Sequence, residues 1–181
     1  MKKHAIVILA EGFEELEAIA PIDLMRRAGI NVTTLGLTSL EVSGSHGISV
    51  KADITLDAFS GSFDALVLPG GPGHKHLLGS QKVLAMAATA FQQNLLCAAI
   101  CAAPTVLGKA GLLKGKKVTC FPGCEKDLGG GIFIEQKTVQ DGTILTSKGA
   151  GTAIDFGLAI VAYLAGAAEA AEVAKKIVFT Q

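Results

Sequence analysis

An open α/β sandwich with a mostly parallel sheet is the fold class this sequence predicts, and three observations carry it. Short apolar runs alternate with longer stretches of helical composition. Several of the runs end in loops of glycine and other small residues, as strands covered on both faces do at the edge of a parallel sheet. One run, Leu95-Leu96-Cys97-Ala98-Ala99-Ile100, stops at Cys101 and turns directly into Ala102-Ala103-Pro104-Thr105. That pattern is a buried strand delivering one thiol to the mouth of a helix, with proline tolerated in the first turn.

The elements follow in order. Ala5 to Leu9 is strand one, and Glu11-Gly12-Phe13-Glu14 is the turn after it. Glu14 to Gly29 reads as a helix, acidic at its start, with Arg26 and Arg27 in its last turn and Gly29 as its stop. Pro21 inside it predicts a kink or a split. Asn31 to Gly36 closes a βαβ unit. From Thr38 to Asp57 the pieces Glu41 to Ser43 and Ile48 to Ala52, around Gly44-Ser45-His46-Gly47, read as a hairpin-like excursion. Parallel winding resumes with Ala65-Leu66-Val67-Leu68, which ends in Pro69-Gly70-Gly71-Pro72-Gly73, and a helix from about Ser80 to Gln93 leads to Leu95. After a helix from Ala102 to Gly108, Lys117 to Cys120 reads as a strand and Gly129-Gly130-Gly131 as a flexible turn. Thr138 to Gln140 and Thr143 to Ser147 flank Asp141-Gly142, a two-residue hairpin signal. Gly149-Ala150-Gly151-Thr152 opens an apolar helix to about Leu164, and Ala167 to Lys176 supplies the last helix.

With 181 residues the chain reads as one domain over 1–181. The long apolar stretch Ala153 to Ala168 is interrupted by Asp155, Gly157 and Gly166, so no membrane span is expected. The basic, briefly apolar start runs straight into Glu11 and Glu14, which argues against a signal peptide. Sixteen basic residues balance sixteen acidic ones without a basic cluster, which disfavours nucleic acid. The four cysteines then read as free thiols in a reducing, cytoplasmic compartment.

In a sheet wound this way every strand-to-helix loop opens on one edge. The loops at Glu11 to Glu17, Pro69 to Gly73, Cys101 and Gly149 to Thr152 therefore surround one crevice. Cys101 is the lead candidate there, because unpaired N–H groups at a helix mouth lower a thiol's pKa. Glu17, flanked by Leu16 and Ala18, is able to face the sheet, whereas Glu14 and Glu15 read as a solvated helix start. A carboxylate beside a thiolate is costly, so one of the two holds a proton, and a protonated Glu17 is able to hydrogen-bond the sulfur. The backbone N–H groups of Gly70, Gly71 and Ala102 are the expected oxyanion donors. Cys97 and Cys101 share one strand face in an extended run but lie roughly 13 Å apart, which excludes a common metal ion; no metal is expected. His46, His74 and His76 read as exposed loop residues.

Taken together, Glu14-Glu15-Leu16-Glu17, Arg26-Arg27-Ala28-Gly29-Ile30, Leu68-Pro69-Gly70-Gly71, Ala98-Ala99-Ile100-Cys101-Ala102-Ala103-Pro104 and Gly149-Ala150-Gly151-Thr152 resemble the ThiJ/PfpI superfamily. The similarity runs nearly end to end and falls in the branch of Parkinson disease protein 7 and its YajL-like bacterial relatives. The resemblance implies a flavodoxin-like three-layer sandwich, usually a homodimer, with Cys101 on a nucleophile elbow and a protonated Glu17 against it. It further implies a cysteine-dependent protein of oxidative or carbonyl stress, a glyoxalase or deglycase acting without cofactor on methylglyoxal-type oxoaldehydes or their glycated adducts. The alternative it carries is a redox sensor or redox-regulated chaperone working through Cys101 oxidation. Ala102 stands where protease-like members have histidine, so peptidase activity is not expected. Phe121 stands where the human-type branch has histidine. His46 stands where that branch places an arginine that reaches the site from the partner subunit.

Overall fold

In the computed structural model residues 2–180 are described. The chain begins with β1 (His4–Leu9), α1 (Glu15–Arg27) and β2 (Asn31–Gly36), the expected βαβ unit. Glu14 caps α1 by accepting the Glu17 N–H at 2.8 Å, while Arg26 and Arg27 complement the dipole at its other end. A short antiparallel ribbon of β3 (Glu41–Ser43) and β4 (Ser49–Lys51) follows, then β5 (Ile54–Thr55) and β6 (Ala65–Leu68). Two helices, α2 (His74–Gly79) and α3 (Gln81–Gln92), precede β7 (Leu96–Ile100) and α4 (Pro104–Lys109). Next come β8 (Lys117–Val118) and β9 (Ile132–Phe133), paired with each other, and the hairpin of β10 (Thr138–Asp141) and β11 (Ile144–Ser147). Helices α5 (Ala153–Ala165) and α6 (Ala167–Lys176) end the described chain.

The main sheet has seven strands in the order β10-β11-β7-β6-β1-β2-β5. All its neighbours are parallel except the edge pair β10 and β11. Alternation along β1 accounts for the three layers. Ala5, Val7 and Leu9 pack with Ile22 and Met25 of α1 and Phe156 and Ile160 of α5, while Ile6 and Ile8 pack with Val83 of α3 and Val106 of α4. Each such aliphatic side chain removed from water contributes about 1.5–3 kcal/mol, so the central strands are the rigid floor on which the loops stand.

Several expectations need correction. Pro21 does not split α1, which runs unbroken from Glu15 to Arg27. The helix is held there from outside: α5 approaches so closely that a Cβ on Gly157 would stand 2.6 Å from Leu24 Cδ1 and 3.0 Å from Pro21 Cα. His74 and His76 belong to α2 rather than to a loop, because the tight turn at Gly71–Gly73 already starts a helix. The strand expected to reach Cys120 stops at Val118, and its partner β9 was hidden behind the glycine turn. Cys97 and Cys101 do not share a face. Cys97 lies in the layer of Ile6 and Leu66, and Cys101 packs against the layer of Ala5 and Val7. The reason is the backbone at Cys101, whose φ of 65° turns the side chain out of the strand's alternation.

Candidate active site

The left-handed φ at Cys101 is the local signature of the site. A non-glycine residue held there stores about 1–3 kcal/mol of strain, offset by bonds on both sides. The Cys101 N–H donates to Ser147 O at 2.9 Å, and its carbonyl accepts the Phe121 N–H at 2.8 Å. Just beyond, Thr105 Oγ1 donates to Ala102 O at 2.6 Å and Pro104 starts α4. A strained cysteine between a buried parallel strand and a helix is the geometry of a nucleophile elbow.

The other strand ends converge on this point. Glu17 is 1% exposed, and its Oε2 accepts the Gly70 N–H at 2.9 Å. Gly70 has no room for a side chain: a Cβ would lie 2.6 Å from Cys101 Cβ, 2.7 Å from Glu17 Oε2 and 2.8 Å from Ile100 O. Gly71 has φ 76° and sits against the 12–14 backbone, to which the loop is tied by Glu14 N–H to Gly70 O and Gly73 N–H to Gly12 O. A Cβ on Gly149 would lie 3.9 Å from Glu17 Oε1 and 3.4 Å from Phe121 Cδ2. The four loops expected at one crevice do meet there.

Burial pushes Glu17 up to about 7, against the opposing pull of the Cys101 thiol and the Gly70 N–H. Burial, together with the charge of Glu17, pushes the Cys101 thiol up to about 12, while the N–H groups of Gly71 and Ala102 pull it down. The expectation of a low thiol pKa from position alone is thus corrected. Helix α4 starts three residues later and spans only Pro104–Lys109, too little to offset burial of the sulfur and the charge of Glu17. Between about 7 and 12 the pair shares a single proton, and the two groups titrate as a unit. The Gly70 N–H serves the carboxyl, so of the three expected oxyanion donors it is the one already engaged. Those of Gly71 and Ala102 face the sulfur.

Glu15, read from sequence as solvated, is buried. Its oxygens accept from His46 N–H at 2.6 Å, Ser45 Oγ at 3.3 Å and Ile48 N–H at 3.5 Å, and Oε2 pairs with His46 Nδ1 at 2.9 Å. Burial works against the charge, but these bonds prevail and hold Glu15 down at about 2. In return Glu15 pushes the exposed His46 up. Within its own chain His46 therefore fastens the β3–β4 turn to α1. Nothing in a short acidic run reveals this, since the donors come from the turn at Ser45 to Ile48. Among the described residues Glu14, Glu15 and His46 are the one group able to offer three ligand atoms to a cation, all within 4.8 Å. All four cysteines are free. No helix of the described residues is long and apolar enough to cross a membrane.

A parallel α/β sheet with a strained cysteine at its carboxyl edge and a buried carboxyl against the sulfur defines a class of cysteine-elbow proteins. The DJ-1/PfpI family model matches residues 3–163, and the chain belongs to that family. It is 42% identical over 180 residues to protein dj-1beta of Drosophila melanogaster, covering 97% of this chain and 96% of that protein. The crystal structure of that DJ-1beta covers all of both chains at 40% identity with a TM-score of 0.95. A Pyrococcus horikoshii protein named a deglycase is 33% identical over 146 residues, 79% of this chain and 88% of its own.

Proposed function

We propose that this protein is a cofactor-independent glyoxalase or deglycase that acts through Cys101 on methylglyoxal-type oxoaldehydes or their glycated adducts. The observation that carries the reading is a cysteine held at φ 65° on the strand edge beside a carboxyl, Glu17, that is 1% exposed and fixed by the Gly70 N–H at 2.9 Å. With the proton on Glu17, the thiolate adds to the aldehyde carbon of the oxoaldehyde, forming a C–S bond. The new oxyanion, held by the Gly71 and Ala102 N–H groups, takes the Glu17 proton. The Glu17 carboxylate then removes the hydrogen on that carbon and returns it to the neighbouring carbonyl carbon, while the proton of the new hydroxyl passes to the neighbouring carbonyl oxygen, leaving a 2-hydroxyacyl thioester on Cys101. Water adds to the thioester, its proton goes to Glu17, and the C–S bond breaks to release the 2-hydroxy acid and restore the pair. Oxoaldehyde and water are consumed and no electrons are exchanged with an external carrier. Methylglyoxal turnover should vanish in Cys101→Ser and persist in Cys97→Ser; equal loss in both overturns the reading.

A second reading is favoured by the same carboxyl. Two equivalents of peroxide convert the thiolate to a sulfinate with release of two waters, and a protonated Glu17 donates to a sulfinate oxygen. Intact mass spectrometry after mild peroxide tests it, and oxidation of other cysteines with Cys101 still reduced rejects it. We also propose a homodimer, in which His46 of one copy approaches the site of the other. The exposed Leu16 and Ile19 of α1 and Ile48 beside them support a covered face.

A further inference from the structure

We propose that Phe121 selects the substrate: its half-exposed ring is an apolar wall beside the Cys101–Glu17 pair that favours uncharged 2-oxoaldehydes bearing a flat apolar substituent, aryl groups above all, over glyoxal and over anionic 2-oxo acids. The inference rests on the reading of Cys101 as the group that takes the oxoaldehyde.

Phe121 is 49% exposed, an unfavourable state for an aromatic ring unless something covers it. It is nonetheless held in place. Its N–H donates to Cys101 O at 2.8 Å, and its own carbonyl accepts the Cys124 N–H at 3.1 Å. The ring and Glu17 Oε1 both stand beside Gly149, since a Cβ there would lie 3.4 Å from Phe121 Cδ2 and 3.9 Å from Glu17 Oε1. Ring and carboxyl thus line the same side of the site. Cys101 fixes the aldehyde carbon, so a flat group attached to the adjacent carbonyl comes to lie against the Phe121 ring. Charge sets the second preference. Glu17 stands in this region with the charge of Glu14 near it, and within its own chain His46 is paired with Glu15. A substrate carboxylate meets repulsion from both Glu17 and Glu14.

The test compares kcat/KM for phenylglyoxal, methylglyoxal and glyoxal in the wild type, Phe121→Ala and Phe121→Leu. The phenylglyoxal-to-glyoxal ratio should fall about tenfold in Phe121→Ala, the size of one ring contact, while glyoxal turnover stays within about twofold. Phe121→Leu, which keeps apolar bulk but no ring face, should fall in between. A ratio unchanged in both variants, or an equal fall for all three substrates, overturns the proposal. A second arm needs no turnover: Cys101 alkylation by iodoacetanilide and iodoacetamide, read by peptide mass spectrometry. The aryl reagent should lose its advantage in Phe121→Ala. If the wild type turns over no oxoaldehyde, the proposed function fails, and the alkylation ratio still decides whether Phe121 forms an aryl-binding wall.

Discussion

Replacing Glu17 with glutamine should move the pH at which Cys101 becomes reactive upward by at least about two units. In the wild type the first proton leaves the pair at about 7, the value to which burial raises Glu17. From there upward the pair is a mono-anion with one proton, and labelling reads its thiolate form, which the Gly71 and Ala102 N–H groups favour and burial opposes. Alkylation of Cys101 should therefore rise about tenfold per pH unit below 7 and flatten above it. Glutamine keeps the acceptor for the Gly70 N–H but has no proton to give up. The thiol must then ionise on its own, above its ordinary 9.0 because of burial yet below about 12 because the Glu17 charge is gone. At pH 7 such a thiol is ionised to about 1% or less. The assay is the pseudo-first-order rate of iodoacetamide labelling at Cys101 from pH 5 to 10, read by peptide mass spectrometry. Midpoints within half a unit of each other in the two proteins would refute the shared proton.

The same substitution should also change stability. Glu17 binds its proton more tightly folded than unfolded, so the stability it contributes is complete below 4.5 and is lost as pH rises through about 7; above pH 8 Glu17→Gln should gain up to about 3 kcal/mol over the wild type in thermal or urea unfolding. Glu15 carries the opposite sign: the stability from its depressed pKa is present above 4.5 and lost as pH falls towards about 2, so Glu15→Gln should lack the acid-dependent part of the wild-type unfolding curve. Gly70→Ala places a Cβ against Cys101, Glu17 and the Ile100 carbonyl and should cost about 1–3 kcal/mol, with Cys101 labelling slowed at every pH. Cys101→Gly should be more stable than Cys101→Ala by about 1 kcal/mol, since only glycine relieves the left-handed φ.

Where local chemistry and tertiary packing agree, the fold is legible from residues alone. The runs at Ala5, Ala65 and Leu96 are apolar without alternation because both faces are covered, and each became a central strand. The hairpin signalled at Asp141-Gly142 forms one residue further on: Asp141 pairs with Ile144, and the turn is Gly142-Thr143 with Gly142 at φ 62°. Elements that depend on distant partners were not legible. Strand β9 exists because Lys117 and Val118 pair with it, and α1 passes through Pro21 because α5 packs on it. The location of Glu17 and Cys101 followed from winding alone, but the electrostatics did not. A helix mouth predicts a low thiol pKa; burial of the sulfur reverses it, aided by the charge of a carboxyl 84 positions away, and no local pattern encodes either.

The deviations from ordinary folding rules are concentrated rather than scattered. Within one strand edge lie a left-handed cysteine, a carboxyl buried without a cation, a glycine at which any Cβ would collide and an aromatic ring left half in water. Each is unfavourable alone, and each is held by bonds from a different loop: Ser147 and Phe121 for the cysteine, Gly70 for the carboxyl, Glu14 and Gly12 for the glycine loop. A core assembled for stability alone would place a smaller apolar residue at 17 and a glycine at 101. That the chain does neither supports the reading of the Cys101–Glu17 pair as the reactive centre. It also explains why stabilising substitutions there should cost reactivity: Glu17→Gln and Cys101→Gly remove the same features that make the sulfur chemically available.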